Sequence, residues 1–292
     1  LQEINKMVSV DQAHSFKVLE ELEEELKKES IIIVDETEVL TEHEDYIRNY
    51  FNEKISPAIG TIMINNEVDF PNLRDGYGYL AIRMLMTDHT VRYALIEKPK
   101  YLNRFVVLPQ IEGDARQYII LIDDLIRHRM HYIFNIFDYK DIEAHMIKVT
   151  LDAELDMELD LKKSLLEKIR LSVHDRKDGD PVRFVYDRDI HKDTLSLIME
   201  KLQIDNNDSI ISGGRYHNRR DYLKFPSLGR TDLLYEKLPG LPIKDVKIRG
   251  SLLERIAKKD ILQYTPYHTF SNTIKFLREA ALDPKVKTVK IT

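Results

Sequence analysis

The chain has 292 residues, 43% hydrophobic and 32% charged, with a formal net charge of −6, ten glycines, ten prolines and neither cysteine nor tryptophan. Lack of cysteine excludes a disulfide framework, a thiolate zinc site and a cysteine nucleophile. No run approaches the ~18 apolar residues of a membrane span, nothing at the start reads as a signal peptide, and the composition is not collagen-like, disordered or coiled-coil.

In chain order, Phe16, Leu19, Leu22 and Leu26 recur at helical spacing and predict an amphipathic helix over 14–29. An apolar run, Ile31–Val34, follows. Thr41 with Glu44 three residues on reads as a capping box for a helix that buries Tyr46, Ile47, Tyr50, Phe51 and Ile55, and Ser56-Pro57 disfavours its continuation. From about 58 the period changes to two. Tyr79–Met84 and Thr90–Glu97 read as a hairpin around Thr87-Asp88-His89, with further strands at Arg104–Leu108 and Tyr118–Ile122. A helix from Asp123 or Asp124 through Leu125, Met130 and Ile133 comes next. Glu143–Leu151 (strand), Leu161–Val173 (helix), Val182–Tyr186 (strand) and Asp193–Leu202 (helix) complete a mixed α+β domain.

Residues 236–248, punctuated by Pro and Gly, are the candidate boundary. Beyond them Ile261–Tyr264 reads as a strand, Phe270–Ala281 as a helix and Val286–Ile291 as a second strand, the opening of a β-α-β unit. Leu1 is not an initiator Met and the last strand is still in progress, so the chain is expected to be a piece of a longer polypeptide. About two domains fit this length.

Charge is unevenly spread. Gly213–Thr292 carries 17 Lys/Arg against 8 Asp/Glu, so the first 212 residues are strongly acidic. Such a split points to an anion met by the C-terminal third. The sharpest local signal is Ser212–Arg220, SGGRYHNRR. Paired Gly213 and Gly214 can turn successive N–H groups into an anion-accepting nest, and Arg215, Arg219 and Arg220 add forked donors suited to phosphate. His217 lies among them, and Lys224 and Arg230 extend the patch. The alternative is a glycine turn before a short helix with solvated arginines.

Other motifs weigh less. His128 and His131 sit three apart near Asp123 and Asp124, but without a metal-helix pattern they read as ordinary histidines. The acidic run Asp152–Asp160 lacks the glycine of a calcium loop. No P-loop, dinucleotide or nucleophile-elbow pattern occurs, and Gly76-Tyr77-Gly78 reads as a turn. Thr269 can cap the last helix; His268 either contacts a ligand or packs the turn.

Several segments resemble the polyphosphate kinase family of the long-chain-forming type: YFNEKISPAIGTIMI (50–64), VRYALIE (91–97), PVRFVYDRD (181–189), DSIISGGRYHN (208–218), KFPSLG (224–229) and YTPYHTF within 260–283. The resemblance covers nearly everything from Val18 onward. It implies an α+β fold: a helical N-terminal segment (1–54), an α+β head domain (55–258) and the start of a phospholipase D-like domain (259–292). It further implies reversible transfer of the terminal phosphate of ATP to inorganic polyphosphate through a phosphohistidine, with Mg²⁺ and ATP bound mainly outside this chain. The family's nucleophilic histidine, in an I-H-A-K-L-type segment, its second histidine and its Mg²⁺-associated arginines lie downstream, and its ATP-contacting asparagine upstream. No H-x-K pair occurs here, so no catalytic or metal-binding residue is carried over and the piece alone is expected to be inactive. The expected partners are ATP/ADP, polyphosphate and a second copy through the head, in the cytoplasm, with the inner face of the membrane as an option. The alternative is a noncatalytic polyanion-binding or dimerisation module; a nucleic-acid-binding role ranks last, for want of a named motif.

Overall fold

The chain divides into two units, Leu1–Leu228 and Gly229–Thr292. In this computed structural model the described residues are 2–64, 70–71, 73–99, 101–151, 181–204, 209–217, 219–244 and 250–290. The first unit opens with α1 (Gln2–Lys28), longer than the helix read from the sequence. Phe16, Leu19 and Leu26 of its expected stripe are half-buried, but Leu22 is 48% exposed. β1 (Ile31–Val34) follows.

The expected cap at Thr41 does not form. Leu40 takes the cap position of a 3₁₀ turn, Thr41–His43, and Thr41 already lies within it. The turn is instead anchored by buried His43, whose Nε2 lies 3.1 Å from the Pro109 carbonyl. It runs into α2 (Glu44–Tyr50) and a π turn, Phe51–Ile55, which bury Ile47, Phe51 and Ile55 completely.

The strands then come in order: β2 (Thr61–Ile64), β3 (Gly78–Met86), β4 (Val91–Glu97), β5 (Phe105–Val107) and β6 (Gln117–Leu121). The β3–β4 hairpin falls where the sequence placed it, with His89 at φ 66° in its turn. After β6 the single helix expected through Ile133 is two, α3 (Ile122–His128) and α4 (Met130–Ile133). Arg129 breaks it, leaving helical geometry at ψ 7° with its guanidinium over the rings of Phe51 and Tyr132. β7 (Tyr139–Leu151), β8 (Pro181–Asp187), α5 (Lys192–Lys201) and β9 (Ser209–Gly213) complete the unit. The helix expected at 161–173 and the acidic run after Leu151 lie outside the described residues.

β1, β6 and β5 form a three-stranded sheet; the larger sheet runs β2-β4-β3-β7-β8-β9, antiparallel except for the parallel pair β8–β9. Alternation sorts its residues. Leu80, Ile82, Met84 and Met146 face one core with α2 and α3, while Ala81, Ile147, Val149 and Phe184 face another with Ile198 of α5. Beyond Val149 and Phe184 the residues between them on β7 and β8, Lys148, Thr150, Arg183 and Val185, fall on the opposite face. Cross-strand pairs Lys148–Val185 and Thr150–Arg183 hold them side by side.

The second unit contains α6 (Leu252–Ile256) and α7 (Ser271–Leu282). Ser251 caps α6, and Glu279 of α7 accepts the Leu252 and Leu253 amides at 2.6 and 3.1 Å, so the N-terminus of one helix is satisfied by the other. The expected strands at 261–264 and 286–291 do not form among the described residues. A strand needs a ladder partner, and the one pairing among the described residues here is a bridge between Leu241 and His268.

Candidate functional site

The β6–α3 junction places two carboxylates, Asp123 and Asp124, in the first turn of α3, and both are fully buried. Buried charges are tolerable only when paired. Asp123 accepts from Arg104 Nη2 at 2.7 Å, and Lys98 Nζ lies 3.5 Å away. Burial would raise the Asp123 carboxyl, but Lys98, Arg104 and Arg127 outweigh it and hold it below the usual carboxylate range. Arg104 also donates to Asp221 at 3.0 Å and to the His217 carbonyl. Asp124 accepts from Arg127 at 2.7 Å, Arg215 at 3.0 Å and the Tyr216 hydroxyl at 2.7 Å. Burial pushes its carboxyl up to about 6 against the pull of Arg127 and Arg215, so it is ionised at neutral pH.

This network takes in part of the SGGRYHNRR segment. Arg215 pairs with Asp124 and with Glu36 through Nη2, so its charge is matched inside the protein. Gly213 and Gly214 do not form the expected nest, since neither has the positive φ that a glycine nest uses. They are small because neighbours are close. A Cβ on Gly214 would lie 2.4 Å from the Phe16 ring of α1, and one on Gly213 would lie 3.0 Å from Val185 and 3.1 Å from His217 Nε2. The short helix of the alternative reading is a 3₁₀ turn, Arg219–Lys224, on which Arg220 and Lys224 are exposed. The side chain of Arg219 is outside those described. Arg230 falls in the second unit, where both carboxylate oxygens of Asp232 meet its guanidinium at 2.7–3.1 Å. Of the 17 basic residues from Gly213 on, Arg215, Arg219, Arg220 and Lys224 lie in the first unit and the rest in the second.

His217 ends up in a different place. It is 6% exposed, and neither ring nitrogen has a hydrogen-bond partner. Burial pushes the imidazole down to about 4, although Asp187 and Asp123 pull it upward, so it is neutral at pH 7. It lines a cavity of about 250 Å³ bounded by Lys148 and Thr150 of β7, Arg183 of β8 and Gln12 and Phe16 of α1. Among the described residues no Asp or Glu lines it. Burial, with Arg183 beside it, lowers the Lys148 ammonium below its ordinary value.

The sequence reading missed Lys148, Arg183, Lys98 and Arg104. The first two were legible: in K148-V-T-L and R183-F-V the alternate residues Val149, Leu151 and Phe184 are core, which fixes the cations on the other face. The lesser histidines have structural tasks. His128 bridges the Glu36 carbonyl and Glu44 at 3.1 Å each, His131 meets the Tyr139 hydroxyl, and His268 accepts the Tyr264 amide within its turn. Thr269 accepts the Ser271 amide at 3.4 Å, one residue before the cap position of α7. Gly76 takes φ 69° in the expected turn.

Comparison with known proteins gives consistent matches along the chain. A family model described as the polyphosphate kinase middle domain matches residues 42–225, and one described as polyphosphate kinase C-terminal domain 1 matches 251–292. A polyphosphate kinase of Vibrio parahaemolyticus is 36% identical over 98% of this chain and 42% of its own length; that of Escherichia coli K12 is 36% identical over 91% and 39%. The crystal structure of polyphosphate kinase from Porphyromonas gingivalis superposes with a TM-score of 0.71 at 27% identity, over 97% of this chain and 41% of that one. The chain thus spans about two fifths of the length of these relatives.

Proposed function

The chain belongs to the polyphosphate kinase family, and from that premise we propose that it is part of an enzyme that reversibly moves the terminal phosphate of ATP onto inorganic polyphosphate. The observation that carries this reading is the match, in order, of two successive family domains over 42–225 and 251–292. The proposed domains remain 1–54, 55–258 and 259–292, as the end of a helical domain, the head and the start of the next domain.

In this reading the reacting imidazole lies outside residues 1–292. Its nitrogen forms a bond to the γ-phosphorus as the bond to the ADP oxygen breaks, and a terminal polyphosphate oxygen then displaces it. Among the described residues no three acidic or imidazole groups converge to hold a cation, and the cavity at His217 is lined by cations. Its donor set does not fit Mg²⁺, and the proposal assigns Mg²⁺ and ATP to residues beyond this chain.

The part of this chain is to shape the enzyme and to meet a polyanion. Arg220 and Lys224 keep exposed charge for that purpose, with Arg219 retained on sequence grounds. Arg230 pairs with Asp232 at the surface, a pair that is cheap to exchange for phosphate. Arg215, Gly213 and Gly214 act by ordering the segment. A second copy meeting the head, in the cytoplasm, belongs to the same proposal.

The test uses the complete polypeptide, purified and supplied with ATP labelled in its γ-phosphate. Labelled polyphosphate is expected, and Arg220→Ala with Lys224→Ala is expected to shorten the product and flatten the salt dependence of primer affinity. No polymer from ATP would overturn the reading. Unchanged chain length and affinity would remove these two residues from it.

A further inference from the structure

We propose that the Asp221 carboxylate is a resident substitute for a phosphoryl group. It occupies an anion site at the cavity between the end of β4, the entry to β5 and the 219–224 turn, and the end of a short phosphate chain displaces it there onto Lys98, Arg104 and Lys224. The inference deepens the reading above and rests on it for the identity of the anion; the exchange of carboxylate for anion stands by itself.

Three observations carry it. The first is an incomplete match at Lys98. The residue is 9% exposed, and its ammonium, with three donors to place, makes no hydrogen bond. Asp123 stops 3.5 Å from Nζ and Asp221 3.8 Å from it, beyond the ~2.7–3.2 Å at which an N–H is well accepted. Asp221 leans instead on Arg104, whose Nη1 donates to it at 3.0 Å. A carboxylate offers two oxygens in one plane. A terminal phosphoryl group offers three in a tripod and carries more charge, so it can reach Arg104 and Lys98 together.

The second observation is that the two carboxylates serving these cations are not equally fixed. Asp123 is fully buried in the first turn of α3. The Asp221 side chain is 37% exposed on the six-residue 3₁₀ turn Arg219–Lys224, so its release to water is cheap. The third is where the cavity leads. Lys98, Arg104, Asp221 and Lys224 all line it, and exposed Lys224 joins it to the surface assigned to the polyanion. At about 160 Å³ it has room for a phosphoryl group and falls below the ~300–1,000 Å³ of pockets that enclose drug-sized ligands.

The test is a brief acetylation pulse with an N-hydroxysuccinimide ester on the complete polypeptide, read at Lys224 by peptide mass spectrometry. Sodium tripolyphosphate is titrated in, with neither nucleotide nor divalent cation present. Labelling of Lys224 is expected to fall along a saturating curve. Lys98→Met removes a charge-assisted contact and is expected to raise the midpoint at least about tenfold. Asp221→Asn removes the competing carboxylate and is expected to lower the midpoint up to about fivefold, a sign that a merely structural aspartate would not give. A variant counts as folded when amide exchange over β3, β4 and β7 matches the wild type; if Lys98→Met does not, isosteric Asp221→Asn decides. The site is overturned by a wild-type curve without saturation, by equal protection from sodium chloride at the same ionic strength, or by a folded variant whose midpoint stays put or moves the other way. Polymer synthesis from ATP is measured separately. Its absence overturns the family reaction and leaves the exchange standing, whereas polymer made with unshifted midpoints overturns the exchange alone.

Discussion

Arg104 and Arg183 both leave water for the inner part of the first unit, yet their surroundings are opposite. Arg104 is met by Asp123 and Asp221, which Lys98 shares, and Arg127 and Arg215 share Asp124. Arg183 stands on β8 near Lys148, at a cavity with no acid among its described lining residues. The first arrangement is a closed ion network that fixes β6, α3 and the 215–221 segment against one another. The second brings two cations onto one face of adjacent strands. Residue type does not separate the two; the position of the nearest carboxylate does.

The largest effect that distinguishes them is on stability. Asp123→Asn leaves buried Arg104 and Lys98 to share the half-exposed Asp221 as counter-charge, which is expected to cost about 3–5 kcal/mol in urea unfolding. Arg183→Met, removing a half-buried cation beside Lys148, is expected to cost far less or to stabilise. Similar losses in both would erase the distinction.

The next effect is pH-dependent. His217 is held at about 4, so the unfolded chain takes up a proton that the folded site refuses. Its contribution is present above the ordinary ~6.5 and is lost as pH falls to about 4, by up to ~3 kcal/mol. Asp124, raised to about 6, has the opposite sign, its folded form keeping a proton that the unfolded chain has released. Comparing wild type with His217→Gln isolates the histidine. The stability of the wild type relative to the variant is expected to fall between pH 7 and pH 4.5, and parallel curves would contradict it.

Smaller again is the packing at the roof. Gly214→Ala meets the Phe16 ring and is expected to cost about 1–3 kcal/mol, much of it recovered when Phe16→Ala is added. Additive losses in that cycle would mean that α1 does not press on the glycine. The smallest effect is at the surface, where Asp232→Ala removes one partner of Arg230 and is expected to change stability by no more than ~1 kcal/mol.

Much of this was legible in the sequence where one face of an element is buried. Period-two alternation placed β3, β4 and the core part of β7, and period 3.6 placed α2 and α5, because burial enforces both. The errors fell where local chemistry competes with tertiary contacts. Thr41 looked like a cap, but His43 reaching Pro109, 66 positions away, decides where that turn begins. Arg129 looked helical until its guanidinium found Phe51 and Tyr132. Residues 261–264 had strand composition without a strand to pair with. For the site, arginine next to paired glycines announced an anion at Arg215, yet Glu36 and Asp124, distant in sequence, neutralise it. His217 came from the same motif and lines a cavity with Gly213, Gly214 and Tyr216, while alternation fixed the face of Lys148 and Arg183 but not their role, because a cation on an alternating strand looks like a solvated face.

The central claim is that this chain shapes and electrically lines a phosphoryl-transfer enzyme whose reacting imidazole lies elsewhere. The most direct test is to give the complete polypeptide a brief pulse of ATP and map acid-labile phosphohistidine by mass spectrometry. The phosphoryl group is expected on a histidine outside this chain, with none on the ten histidines of residues 1–292. Stoichiometric phosphate on any of those ten would contradict the account.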